Sequence, residues 1–150
     1  MSGAVSIQIV NLDEFKGELS KLSEQVRGQN LVTALKAGAL IVENAAKQKC
    51  PKRTRTLSRS IHVETASSQG DKVEVDIGTD VVYAAIQEFG GVITPKKAKM
   101  LHWTEGGQSI FAHKVTIPAH PYLRPAMDEN KDAIQAEITA TLKQLLGASE

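Results

Sequence analysis

The amino-acid sequence predicts an α+β fold: an N-terminal long helix or helix pair, a small antiparallel sheet with a projecting hairpin arm, and a C-terminal helix packed on the sheet. Apolar residues recur at helical spacing near both ends of the chain and alternate at strand spacing between them. No internal repeat or linker divides the 150 residues. We therefore expect one domain over 1–150, with 11–50 helical, 57–117 mostly β around a short helix at 82–89, and a C-terminal helix over 125–146.

The N-terminal helical region begins at an approximate capping box, in which Glu14 follows Asn11 by three residues. Apolar residues then recur every three or four positions, at Leu12, Phe15, Leu19, Leu22, Val26, Leu31, Leu35, Ala39, Val42 and Ala46. Gly28 interrupts this pattern and Asn30 offers a second cap, so the region is either two helices or one kinked helix. Pro51 ends it, because proline cannot continue a helix.

The clearest hairpin lies in the middle of the chain, where apolar residues alternate with polar ones on both sides of a turn at 68–71. The alternating residues are Ile61, Val63 and Thr65, followed by Val73, Val75 and Ile77. A short helix comes next, with Tyr83, Ile86 and Phe89 on one face. Gly90 and Gly91 can end this helix by adopting positive φ.

Residues 92–117 predict a long, partly extended hairpin arm that turns at Gly106 and Gly107. Three prolines then keep the chain extended, and Pro125 can occupy the first turn of the final helix. The buried stripe of that helix is predicted to contain Met127, Ile134, Ile138, Leu142 and Leu145, and Gly147 closes it.

The composition restricts the possible functions. Eighteen basic and seventeen acidic residues leave a formal net charge of +1, so no global field recruits nucleic acid or an anionic membrane. No apolar run is long enough to cross a bilayer, and we expect a soluble protein made in the cytoplasm. Aromatic residues make up only 4%, so we expect Phe15, Tyr83, Phe89, Trp103, Phe111 and Tyr122 to be rare anchors in a thin aliphatic core.

Three segments in a fixed order carry a resemblance to a known family. They are Pro51 to Ile61 (PKRTRTLSRSI), Tyr83 to Gly91 (YAAIQEFGG) and Ile117 to Ala126 (IPAHPYLRPA). Together they resemble the neck or tail-completion proteins that join head to tail in lambda-like and HK-type long-tailed phages, a family of gene-product-ten-like tail components. The segment from Ile93 to Ile117 also resembles the related virion-morphogenesis proteins of Mu-like phages.

The family motifs coincide with residues of this chain for which the resemblance implies a structural role. These are Pro51, Thr54, Leu57, Ser60, Tyr83, Glu88, Phe89, Gly90, Pro121, Tyr122, Leu123 and Pro125. Glu88 to Gly90 would fix a helix end against the sheet, and Tyr122 with Leu123 would plug the core where the last helix begins. The chain departs from the family at Arg55, where glycine is usual, so a turn with positive φ there would be strained or the turn would be built differently, and at Tyr122, which replaces phenylalanine.

The resemblance implies a structural virion component of the head-to-tail junction, without catalytic residues or cofactors. Such a subunit forms a ring with copies of itself between the connector and the tail tube. Its implied partners are head-side, portal-associated connector proteins and the tail tube or tail terminator protein, and genomic DNA passes through its lumen without sequence-specific binding. No membrane partner is implied, and the protein would be made in the host cytoplasm and end in the neck or tail of the virion.

A basic stretch is the first candidate interface. Six basic residues occur there without an acid: Lys47, Lys49, Lys52, Arg53, Arg55 and Arg59. They can contact passing DNA or an acidic partner surface, or they are simply a solvated helix end and loop. The hypothesis that these residues contact DNA gives the alternative function, a DNA-binding accessory protein that uses residues 47–59.

The second candidate interface is the arm, where three lysines precede a tryptophan. Lys96, Lys97 and Lys99 lie close in sequence to Trp103, which we expect to be the buried anchor when the arm docks on a neighbouring subunit. The alternative is an exposed hairpin whose lysines discourage edge pairing. The residues predicted to contact subunits or partners are therefore Arg53, Arg55, Arg59, Lys96, Lys97, Lys99 and Trp103.

Three patterns typical of enzymes have simpler explanations. The four histidines (62, 102, 113 and 120) lack the short or helical spacing that preorganises a metal site. Cys50, the single cysteine, stands at a helix end without a recognisable catalytic signature, and we expect it to be a small, semi-buried residue. Asp71, Asp76, Asp80 and Glu88 could mimic the carboxylate cluster of a metal-dependent hydrolase, but turns and an outward strand face explain the aspartates. We expect neither metal nor activity.

Overall fold

A computed structural model describes residues 5–8, 20, 23–53, 55–69 and 72–147; for 5–8, 24, 25, 65–69 and 72 it describes the backbone alone. In chain order the elements are β1 (Val5–Gln8), α1 (Glu24–Lys49), α2 (Thr56–Ser60), β2 (His62–Gln69), β3 (Lys72–Gly78), α3 (Ala84–Phe89), β4 (Gly91–Ile93), β5 (Leu101–Glu105), β6 (Gln108–Ala112), β7 (Val115–Ile117), α4 (Leu123–Asp128) and α5 (Lys131–Gly147). The predicted α+β class is confirmed.

The long helix α1 runs unbroken through Gly28, so of the two alternatives left open by the sequence, two helices divided there is the wrong one. Its capping residue is Ser23, whose hydroxyl accepts a hydrogen bond from the amide of Val26 at 3.4 Å. It ends at Cys50, which adopts an extended conformation before Pro51. The capping box predicted at Asn11 and the helix predicted over 11–22 lie outside the described residues.

The sheet has the strand order β1-β3-β2, with antiparallel pairing throughout. The predicted hairpin is confirmed, since β2 and β3 pair from His62 opposite Gly78 to Gln69 opposite Lys72, with a register shift between Val63 and Ala66. The alternation of β3 is also confirmed, because its three apolar side chains, Val73, Val75 and Ile77, are buried against α1.

The C-terminal helix packs chiefly on α1 rather than on the sheet, which corrects the predicted packing. Helix α1 is the central element of the fold, because it contacts β2 and β3 as well as α4 and α5. Gly38 permits this close approach, because a Cβ there would lie 2.9 Å from Cγ1 of Ile138. The small residues of α1 thus serve contact between helices.

The C-terminal helical region is divided, whereas one helix over 125–146 was predicted. Helix α4 ends at Asp128, and α5 begins at Lys131. Asn130 lies at the division, where its side-chain amide donates to the carbonyl of Ala126 at 2.8 Å and its own carbonyl accepts from the amide of Ile134 at 2.9 Å. Pro125 occupies the first turn of α4, as predicted.

The arm predicted over 92–117 is confirmed as two short antiparallel ladders, β4 with β7 and β5 with β6. Its turn is Gly106-Gly107, with φ of 57° and 82°, the two positive angles that a two-residue hairpin loop of type I′ requires. From Phe89 to Pro121 no side chain is buried. The arm therefore lies outside the core.

The core is aliphatic, and most of the predicted aromatic anchors do not contribute to it. Tyr122 is buried, but Tyr83, Phe89 and Phe111 are exposed, and Trp103 is half-buried. The expectation is therefore wrong for Tyr83, Phe89 and Phe111, and Phe15 lies outside the described residues. Periodicity placed Phe89 on an apolar helical face without showing what that face contacts.

Candidate functional site

A buried carboxylate joins two of the family-like segments. Glu88, in the last turn of α3, accepts hydrogen bonds from three consecutive backbone amides at the start of α4. The bonds are 2.8 Å from Tyr122 and 2.9 Å from Leu123, both to Oε2, and 3.0 Å from Arg124 to Oε1. Glu88 therefore holds the beginning of α4, whereas its motif implied that Glu88 to Gly90 fix a helix end against the sheet.

The two ends of the arm meet beside this contact. The amide of His120 donates to the carbonyl of Gln87 at 2.7 Å. Gly90 ends α3 with φ of 70°, and a Cβ there would lie 2.8 Å from the amide nitrogen of Ala119. The predicted role of Gly90 as a helix stop is confirmed, and its missing side chain also lets the returning strand come close.

Tyr122 and Leu123 fill the core where α4 begins, as the resemblance implied. Burial, reinforced by the negative charges of Glu88 and Cys50, raises the pKa of Tyr122 to about 12. The phenol therefore stays neutral at physiological pH. Pro121 is exposed and Pro125 is half-buried, so the two prolines shape the backbone on either side of this plug.

The first family-like segment connects the end of α1 to the sheet. Leu57 is buried, and the hydroxyl of Ser60 bonds the Leu57 carbonyl at 2.8 Å and the buried Thr79 hydroxyl at 2.5 Å. Ser58 donates to the last-turn carbonyl of Lys47 at 3.3 Å. Pro51 is exposed at the start of the segment, and Thr54 lies outside the described residues.

Arg55 has left-handed backbone angles, with φ of 57° and ψ of 3°. It is the one non-glycine residue with positive φ in the part of the chain that the structure describes. A side chain in this conformation costs about 1–2 kcal/mol, and glycine would avoid most of this cost. The strain expected at this departure from the family motif is therefore present.

The basic stretch falls into two groups. Lys47 pairs with Glu43 at 2.5 Å and Lys49 pairs with Glu129, so both are neutralised near the end of α1. Lys52, Arg53, Arg55 and Arg59 are exposed, and no described residue forms an ion pair with them. An open groove lies between α1 and α2, lined by Asn44, Lys47, Gln48, Lys52, Arg55 and Ser58, which we call the basic groove.

Each face of the β5–β6 ladder has its own character. Trp103 lies opposite Ile110, and Leu101 lies opposite Ala112, so these four half-buried side chains share one face. On the other face the rings of His102 and Phe111 stack at a centroid distance of 4.7 Å. The ladder makes its principal contacts within itself.

Lys96, Lys97 and Lys99 are exposed between β4 and β5, so the structure brings them to the same arm as Trp103.

Five exposed apolar residues lie in or next to α3 and in β4 at the base of the arm, namely Val82, Tyr83, Phe89, Val92 and Ile93, and we call them the apolar patch. The most exposed members are Val82 at 93% and Phe89 at 69%. Helix α3 has only six residues, so it spans about 9 Å. Sequence reasoning missed this surface; the signal was the density of large apolar residues on both sides of a very short helix.

The residues considered for catalysis are not assembled into a site. Among the described residues, no group of three or more His, Cys, Asp or Glu side chains is placed to hold a metal ion. Burial raises the pKa of the Cys50 thiol, against weaker opposing effects of Ser58 and Lys52, which makes it a poor nucleophile at neutral pH. Asp71 lies outside the described residues, and Asp80 is exposed. No described helix has the length and hydropathy that crossing a membrane requires.

Replacing Glu88 with glutamine should destabilise the protein by about 2–4 kcal/mol, because an amide nitrogen would face backbone donors that then lack an acceptor. Urea denaturation would measure this loss. Glu129→Gln is the matched control, since it removes an exposed ion pair with Lys49 and should cost less than about 1 kcal/mol. Faster hydrogen exchange at the amides of residues 122–124 should accompany Glu88→Gln alone. Equal stability of the two variants would contradict the assigned role.

Alkaline pH should destabilise the protein through Tyr122. Its pKa is raised on folding from 10.0 to about 12, so the folded state holds this proton more tightly than the unfolded state. The associated stability is complete below pH 10 and is lost as the pH rises towards 12. Melting temperatures measured between pH 9 and 11.5 should therefore fall less steeply for Tyr122→Phe than for the unmodified protein. Parallel curves would show that the phenol does not contribute.

One comparison with known proteins supports the family resemblance, over the part of the chain that holds the first of the three segments and all but the last residue of the second. No curated protein and no solved structure matches the chain. A family model for the tail component of bacteriophage HK97, HK97-gp10-like, matches residues 13–90, which is just over half of the chain. The match covers α1, the β2–β3 hairpin and α3 with Glu88, and it ends where the arm begins. The chain therefore belongs to the HK97-gp10-like family of bacteriophage tail components.

Proposed function

We propose that this protein is a non-enzymatic, ring-forming subunit of the head-to-tail junction, located between the connector and the tail tube of a long-tailed phage. Membership of a tail-component family supports a structural role in the virion. The observation that carries the proposal further is the arm, in which no side chain from Phe89 to Pro121 is buried although one face of its distal ladder is apolar.

An uncovered two-stranded ribbon is a weak structure by itself. Two strands without a packed face are marginally stable in water, because the ladder bonds alone do not offset the entropy of ordering the chain. The apolar face with Trp103 and Ile110 is available to stabilise the ribbon once another surface covers it. Exposed lysines at 96, 97 and 99 would then form the polar rim of such a contact.

A second copy of this chain is the partner we propose for the arm. The apolar patch around α3 offers exposed side chains of the matching character, with Val82 and Phe89 largely in solvent. A contact between an arm and the patch of the next copy uses different surfaces on the two subunits. Repeated head to tail, such a contact closes into a ring when the rotation between subunits permits it.

The remaining partners follow from the position in the virion. A ring at the junction has one surface towards the head-side connector proteins and the other towards the tail tube or tail terminator protein. Genomic DNA passes through its lumen. The subunit is made in the host cytoplasm and functions in the assembled particle.

The virion position can be tested by electron microscopy of phage from which the gene has been deleted. We expect separate full heads together with unjoined or defective tails, because the proposed role is mechanical continuity between them. Complementation with the unmodified gene is the control and should restore joined particles. Intact, infectious particles without the protein would refute the proposal.

Ring formation can be tested separately by sedimentation of purified variants. Phe89→Ser changes an exposed residue of the apolar patch, and Trp103→Ala removes the proposed anchor of the arm, so both should shift the protein from oligomer to monomer. Gln108→Ala is the matched control, because this exposed polar residue lies on the same arm and should leave assembly unchanged. A monomer at all concentrations, without binding to connector or tail-tube protein, would count against the ring.

A further inference from the structure

The basic groove combines cationic side chains with neutral hydrogen-bonding side chains. Lys47, Lys52 and Arg55 line it together with Asn44, Gln48 and Ser58. Among the described residues, none that is acidic or apolar belongs to this lining. Side chains of these types make most of the phosphate contacts in complexes of proteins with DNA, whereas the centre of a protein–protein interface is apolar.

The favourable interaction of cations with the C-terminal end of α1 explains only some of the positive charges in and near the groove. Lys47 and Lys49 lie in the last turn of α1, where the helix dipole favours cations, and both have acidic partners. Lys52 and Arg55 lie beyond the end of the helix at Cys50, and no described residue neutralises them. Their exposed charges are therefore available to a ligand.

The backbone at Arg55 gives an independent indication. This residue carries a full side chain at a left-handed position that favours glycine, so removing the side chain would relieve strain rather than destabilise the fold. Strain that stability does not require is typical of functional positions. Arg55 lines the groove and forms no ion pair with a described residue.

We infer that the basic groove binds the sugar-phosphate backbone of duplex DNA, with Arg55 and Lys52 as its principal phosphate contacts. Exposed Arg53 and Arg59 extend the same positive surface beyond the groove. The described lining of the groove contains no aromatic side chain on which a base could stack, so we expect contacts to phosphates that are independent of base sequence. This inference does not require the ring, because a single chain carries the whole groove.

The test is the affinity of the purified, full-length protein for a fluorescent 24-base-pair duplex, measured by anisotropy between 50 and 200 mM salt. We expect binding that weakens steeply with salt. Arg55→Gly should reduce affinity about eightfold at 0.1 M salt and lower the slope of log K against log salt by about one, which is the contribution of one phosphate contact. Its melting temperature should equal or exceed that of the unmodified protein, because the substitution relieves the strain.

Two further variants separate charge from conformation. Arg55→Lys keeps a cation at the strained position and should retain most of the affinity. Lys143→Gln removes one positive charge from the exposed face of α5, outside the groove, and should leave the salt slope unchanged. The inference is overturned if the unmodified protein does not bind DNA at 50 mM salt, or if Arg55→Gly and Lys143→Gln behave alike. It is equally overturned if Arg55→Gly changes sedimentation but not DNA affinity, because the groove would then serve an acidic protein surface.

Discussion

One carboxylate organises the second half of this molecule. The first amides of α4 have no partners within their own helix, and three of them converge on Glu88 from a segment 34 to 36 positions further along the chain. The same three bonds compensate the burial of the Glu88 charge, which would otherwise be costly. The arm and the C-terminal helices therefore keep their place on the core through an interaction that satisfies both partners at once.

Periodicity was sufficient for the elements whose environment is simple. The alternation of Val73, Val75 and Ile77 predicted β3 because one face of the sheet is buried, and the Gly106-Gly107 pair predicted the turn of the arm because only glycine adopts both angles easily. Periodicity failed where the question was which element an apolar face packs against. The apolar stripe of α5 is real, but nothing in it distinguishes a sheet from α1 as the surface beneath. Four-residue β1 is too short for alternation to be distinguished from chance.

The sequence was sufficient to predict which residues belong to the candidate site, but not which of them are in contact. Resemblance to a family singled out Glu88, Tyr122 and Leu123, yet no local pattern links residues so far apart in sequence, and their contact appears only in the folded chain. The strain at Arg55 was predictable, because a motif position occupied by glycine implies a positive φ. The exposure of Phe89 was not, since a six-residue helix gives too few turns to identify its buried face.

The crossing of Gly90 and Ala119 has a consequence for the geometry of any assembly that uses the arm. The segments that lead into β4 and out of β7 pass close to each other where they leave the core, and the backbone there has no room for a side chain at residue 90. The direction of the whole projection is thus set at its root, some distance from the tip that would meet a neighbour. The curvature of such an assembly and its number of subunits would then depend on the backbone at residues 90 and 119. The choice of the neighbouring subunit would depend on the side chains at the end of the arm, so the two properties could change independently in related chains.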